Sequence, residues 1–359
     1  MKNLKYFLIS GFLIFCFSCK ENYTHNKDVI LPDSLSSNRI LFSLSLKDSV
    51  ANKYWPKFNQ RKTEGAFIYF NDSISEVFFP DSLVLKKVKK ANIYSNDYLS
   101  CKRTDTIPYH FELMISFDSV DKNKFYYKNP VLQFLNVEET NMYIPSVKST
   151  EMWSTMVLHE MFHQFQFNHL SFKNYVEKEI NTLDYDIRNL ISIAQKDSSY
   201  FSMLKEENNL LLNAIHATKS SKIDLLKKCL KIRKRRLQKY TKLYPNIEKL
   251  EDFYILQEGS ARYIEYKTMK VLNELANNNQ KLTIKKDSLF KNYKEFKTID
   301  LNSDELSYLI TIDYSDYYYT LGFNLMRVLD SLNIDYKNNL FNHSTYSFHK
   351  ILSTHTKIY

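Results

Sequence analysis

The feature that most limits how this 359-residue chain can fold is its shortage of backbone punctuation. It holds only 4 Gly and 7 Pro. No Gly occurs between Gly65 and Gly259, and no Pro between Pro145 and Pro245. These residues normally end helices and make tight turns, so little interrupts a helix after about Ser149. Apolar periodicity there predicts helices over 150–169, 173–196, 199–218, 222–243, 250–276 and 317–332. No repeat of fixed period is present.

Before Ser149 the pattern differs. Short apolar or β-branched runs occur at 40–46, 66–70, 76–79, 111–117 and 131–137. Turn residues such as Asn71-Asp72 and Asp121-Lys122-Asn123 separate them. The expectation is an α+β protein, with a strand-rich region over 39–148 and a mainly helical region over 149–359. With 44% hydrophobic and 25% charged residues the chain is globular in composition, and 4 Cys exclude a disulfide scaffold.

The N-terminus reads as an address. Lys2 and Lys5 precede an apolar run over 6–17, which stops at Ser18-Cys19 before the polar Lys20-Glu21-Asn22. The run is short for a bilayer span and has the shape of a secretory signal. Phe17-Ser18-Cys19 resembles a bacterial lipobox. That resemblance implies a signal over 1–18, export, and lipidation of Cys19, which would hold the protein on a membrane surface. An ordinary cleaved signal is the alternative. Residues 19–38 read as a tether. No later segment approaches about 18 continuous apolar residues. Cys101 and Cys229 are then left to form a disulfide or to stay as separate thiols.

One predicted helix is crowded with cations: Lys227, Lys228, Lys231, Arg233, Lys234, Arg235, Arg236, Lys239 and Lys242. Aromatic interleaving is poor and the export signal argues against nucleic acid as a partner. The run is read as a solvated helix face, attracted to anionic lipid or glycan.

The strongest chemical signal is His159-Glu160-Met161-Phe162-His163. Residues four apart on a helix share a face, so the two imidazoles can hold one tetrahedral Zn²⁺. Glu160 can then serve as general base on a water at the open position. Ser149 or Thr150 can cap this helix, and Glu151 suits its positive end. A third ligand must come from elsewhere. His169 follows His163 with no Gly between, and is read as a polar residue near the helix end.

In Leu256-Gln257-Glu258-Gly259-Ser260-Ala261 the chain resembles the gluzincin metallopeptidases, especially the membrane alanyl aminopeptidase branch. There an Asn-Glu-Gly-Phe-Ala segment supplies the third zinc ligand from a second helix. The resemblance implies that Glu258 completes the site. Gly259 costs a helix about 1 kcal/mol relative to Ala, so it needs a packing reason, for which close approach of two helices around a metal would serve. Glu265, on the same face, is the fallback ligand. Tyr319-Thr320-Leu321-Gly322 resembles the family's Tyr-x-Lys-Gly stretch, which implies that Tyr319 assists at the oxyanion. Gln164 and Gln166 are candidates to bond substrate or a ligand, Arg262 to orient a carboxylate, and Asp330 to accept from a ligating imidazole.

By the same resemblance the helical region is a zincin-like catalytic domain, with 173–245 as a helical insertion. An edge strand at 131–137 would pair with extended substrate. The functional expectation is an exported zinc metallopeptidase acting on peptide or protein. The Gly-x-Met-x-Asn segment that grips a free N-terminus in the aminopeptidases has no match before His159. The alternatives are a non-catalytic surface lipoprotein that binds peptide, glycan or a protein partner, and a zinc hydrolase of non-peptide amides.

Overall fold

In a computed structural model the described residues are 34–359, except 62–64, 72, 89–90, 104–110, 113–114, 118–124, 128–131, 279–282, 342–346 and 357–359. They fall within one unit, Leu31–Tyr359. The signal at 1–18, Cys19 and the tether up to residue 33 lie outside the described residues.

The first element differs from expectation. The run at 40–46, read as a strand, is part of helix α1 (Leu35–Tyr54), which Ser34 caps by accepting from the Ser37 N–H. The helix is buried around much of its circumference, from Ile40 and Phe42 to Leu44 and Leu46. A short run buried on both sides has no period that separates strand from helix. Arg39 pins the helix in place, donating to Asp287, Glu138 and the Tyr69 hydroxyl.

Next come β1 (Phe67–Phe70), β2 (Ile74–Phe78), α2 (Ser82–Lys87), β3 (Asn92–Ser95), β4 (Tyr98–Lys102), β5 (Phe111–Glu112), β6 (Ile115–Phe117), β7 (Phe125–Tyr127) and β8 (Leu132–Leu135). Six of these strands form one sheet in the order β3-β4-β2-β1-β8-β5, while β6 pairs with β7. The β1–β8 pair is parallel and the rest of the six-stranded sheet is antiparallel. Phe67, Tyr69, Phe78 and Phe134 face the main core. Ile68, Phe70, Val77, Leu99 and Leu135 form a smaller core with Val84 of α2. Among the described residues β8 is not the sheet edge expected at 131–137, because Phe111 and Glu112 of β5 pair with its Phe134 and Gln133.

The chain then turns helical: α3 (Val137–Tyr143), α4 (Thr150–Phe167), α5 (Leu170–Tyr175), a π turn (Val176–Ile180), α6 (Ile187–Lys196), α7 (Ser198–His216), α8 (Lys219–Tyr240), α9 (Ile247–Asn277), α10 (Tyr317–Ser331) and α11 (Phe348–Thr356). The helix expected over 173–196 is broken. Asp186 and Asn189 form a capping box that starts α6 afresh, since a side chain that bonds the local backbone competes with helix continuation. The protein is mixed α+β, with a small sheet followed by a helical C-terminal part.

Two of the four glycines meet where α9 and α10 cross. A Cβ on Gly259 would lie 2.2 Å from Gly322 Cα, and one on Gly322 would lie 1.9 Å from the Ile255 carbonyl oxygen. The packing reason for Gly259 is therefore α10, not the approach to the two-histidine helix suggested by sequence. Backbone atoms cannot rotate aside, so Gly322→Ala is expected to destabilise by about 3 kcal/mol, the upper end for overpacking, despite better helix propensity. Urea unfolding measures this, and a variant as stable as the parent would contradict the contact.

The cation-rich α8 also departs from expectation. Arg233 and Arg236 are not solvated, at 2% and 0% exposure. Arg236 bonds Glu207 of α7 at 2.6 Å and Glu251 of α9 at 2.8 Å. Arg233 reaches Glu251 at 2.6 Å and Asp252 at 2.7 Å. The hydroxyls of Tyr200 and Tyr317 donate to the same Glu251 oxygen. This network ties α7 and α8 to the buried faces of α9 and α10.

Candidate metal centre

Helix α4 is held at its start. Ser149 caps it by accepting from the Met152 N–H, and the buried Glu151 carboxylate accepts from the Lys291 and Tyr293 N–H groups. Trp153 donates its indole N–H to the Leu135 carbonyl of β8, which fixes the helix against the sheet. One face of α4 then carries His159 and His163 toward α9, at 8% and 2% exposure.

Glu258 of α9 meets both imidazoles. Its Oε2 lies 3.1 Å from His163 Nε2 and 3.6 Å from His159 Nε2. Donors held at zinc's bond lengths on neighbouring corners of a tetrahedron are about 3.3 Å apart, and the two distances bracket that value. The same Oε2 is buried and accepts no hydrogen bond. A buried carboxylate oxygen left so is costly unless something positive satisfies it. His159, Glu160 and His163 by themselves also bring one donor atom each within 4.8 Å of one another. The tighter approach of Glu258 favours it as third ligand, and leaves Glu160, which lines the cleft, open to a reactant.

Hydrogen bonds fix how each ring is presented. His163 Nδ1 lies 2.9 Å from Gln166 Oε1, while Gln166 Nε2 donates to the Gln257 carbonyl and to Ser260 Oγ. The amide orientation is set by the carbonyl, which can only accept. His163 Nδ1 must therefore carry the proton, and Nε2 presents its lone pair in the neutral ring. His159 is arranged alike, with Nδ1 3.4 Å from Glu265 Oε2. Glu265 in turn accepts from the Tyr308 hydroxyl. Glu265, the fallback ligand on sequence, thus sits behind His159 and orients it.

The electrostatics point the same way. Burial disfavours charge on His159, but Glu258 and Glu265 outweigh it and hold the ring up to about 10. Burial would raise Glu258, yet His163 and His159 hold it well below the usual carboxylate range. Burial pushes the Glu160 carboxyl up, and the two imidazoles offset part of this. Three carboxylates around two imidazoles demand positive charge, and a divalent cation would take the place of the ring protons.

The cluster opens into a cavity of about 550 Å³, lined by His159, Glu160, Arg262, Glu265, Tyr308 and Tyr319 and, on the facing wall, by Ile144 and Val147. That wall is the connection between α3 and α4, not a strand. The Tyr319 ring lies 6.0 Å from that of His159 at 29°. Burial, then Glu258, holds its phenol well above the ordinary value, so it stays a neutral donor. Tyr317 belongs to the Glu251 network instead.

The remaining sequence candidates have other partners. Arg262, a candidate to orient a carboxylate, lies 3.1 Å from that of Asp316, with its guanidinium 4.4 Å over the Tyr319 ring, and so holds that tyrosine. Asp330 binds Tyr263 and Lys337 and, among the described residues, meets no imidazole. The Gln164 side-chain nitrogen is buried without a partner. His169 caps α5 in position only, its Nδ1 donating to the Phe165 carbonyl. Cys101 and Cys229 are both free and buried, so they form no disulfide.

Sequence reasoning missed Tyr308, which no local pattern marks, whereas Gln166, a candidate to bond a ligand, does meet the His163 ring. No helix among the described residues is long and apolar enough to cross a membrane. No family model, curated protein or solved structure matches the chain.

Proposed function

We propose that the protein is a zinc-dependent metallopeptidase of gluzincin type on a zincin-like scaffold. His159, His163 and Glu258 would hold the metal. The observation that carries this reading is the Glu258 oxygen poised 3.1 and 3.6 Å from the two Nε2 atoms. When bound, zinc supplies Lewis acidity toward a scissile carbonyl and makes a water acidic near neutral pH.

The chain's own residues do the rest. Glu160 accepts the proton of the attacking water and passes it to the leaving amine. The Tyr319 phenol donates toward the oxyanion of the tetrahedral adduct. Arg262, stacked on its ring, keeps that phenol in place. Extended substrate would run along residues 144–147, which wall the cleft. Export and anchoring through a lipidated Cys19 belong to the same proposal, resting on the N-terminal pattern.

A mixed peptide library tests the activity. The zinc-loaded chain is expected to cleave it, to lose activity on chelation and to regain it with Zn²⁺, and the cut positions report endo- or exo-cleavage. A library left intact by a zinc-loaded chain would overturn the peptidase reading while leaving the metal site standing.

A further inference from the structure

Helix α8 divides its cations between a buried and an exposed face. Its two buried arginines are spent on carboxylates inside the fold, where a planar fork can bond two partners at once. Its outward face carries Lys227, Lys228, Lys231, Lys234 and Arg235, all exposed and none with an acidic partner among the described residues. Lys239, also exposed, is the exception, at 3.4 Å from Asp197. No Asp or Glu occurs between Asp224 and Glu248. Within the 22-residue helix these five cations form a stripe about 12 Å long, from Lys227 to Arg235.

We propose that this stripe is a docking face for an anionic phospholipid surface, independent of the metal site. A face of four lysines and one arginine suits headgroups better than nucleic acid. Lysine is a compact point charge that needs no fixed geometry, whereas phosphate recognition in nucleic acids favours the arginine fork. Single strands also need aromatic platforms, and the exposed positions of α8 carry none. Each cation near such a surface contributes a factor of about five in affinity, so the stripe acts collectively and is screened by salt.

The test uses residues 20–359 with no acyl chain, and vesicles of phosphatidylglycerol mixed into phosphatidylcholine. The chain is expected to sediment with the anionic vesicles at low salt, to leave them at 0.5 M salt, and to ignore pure phosphatidylcholine. Neutralising four residues together (Lys227→Gln, Lys231→Gln, Lys234→Gln, Arg235→Gln) is expected to weaken binding at least ~100-fold. These side chains are exposed, so the variant should keep the parent's circular dichroism and Tm. A matched variant (Lys285→Gln, Lys286→Gln, Lys294→Gln, Lys297→Gln) loses the same charge from exposed sites elsewhere. Equal loss in both variants would reduce the effect to net charge and overturn the proposal. So would vesicle binding unchanged by the α8 variant, no preference for the anionic lipid, or tighter binding to an RNA oligonucleotide or an anionic polysaccharide.

Discussion

Replacing Glu160 with Gln is expected to lower kcat by roughly 10²–10⁴-fold while zinc stays bound. The amide keeps the size and most of the packing of the carboxylate but cannot accept a proton. The metal should remain, because Glu258 offers an oxygen 3.1 Å from His163 Nε2, and each imidazole is oriented from behind by Gln166 or Glu265. Single-turnover hydrolysis with metal analysis of the same sample checks both halves. Unchanged hydrolysis would remove Glu160 from the mechanism. Loss of zinc along with activity would make it a ligand.

Arg236→Ala is expected to cost about 3–5 kcal/mol of stability, the range for removing one member of a buried ion network. The guanidinium is 0% exposed and bonds both Glu207 and Glu251. Its removal leaves buried carboxylates short of compensation, with two tyrosine hydroxyls still bound to one of them. Lys234→Ala, one residue pair away on the exposed face, should change stability by less than about 0.5 kcal/mol. Urea unfolding of both variants separates a buried cross-brace from a solvated helix. A cost for Arg236→Ala similar to that for Lys234→Ala would contradict the burial.

The parts of the site that sequence disclosed are those set by local spacing. His159 and His163 share a face because they are four apart on α4, and Ser149 marks the start of that helix. Glu258 required a second helix, and its signal was one glycine in a helical pattern together with a family resemblance. The glycine was informative for a reason not foreseen, since its contact is Gly322 of α10. What stayed hidden depends on distant partners. Arg233 and Arg236 look like their exposed neighbours until α7 and α9 bring Glu207, Glu251 and Asp252 to them. Tyr308 lies on a short turn 43 residues from the carboxylate it binds.

Three departures in the N-terminal half are of a different kind. The α1 sequence resembles a strand because the helix is buried on several sides and so lacks a clear stripe. The β3–β4 hairpin was overlooked although Asn96-Asp97 sits between its two strands, a visible turn signal. The edge strand expected at 131–137 was sought by analogy, and in the structure β5 covers it.

The account stands or falls on one divalent ion shared by two helices. Metal analysis of the purified chain and of Glu258→Ala, by inductively coupled plasma mass spectrometry, tests this most directly. The account predicts one zinc per parent chain and a variant that folds but retains almost none. A parent that binds no stoichiometric zinc, or a Glu258→Ala variant that binds it as tightly, would contradict it.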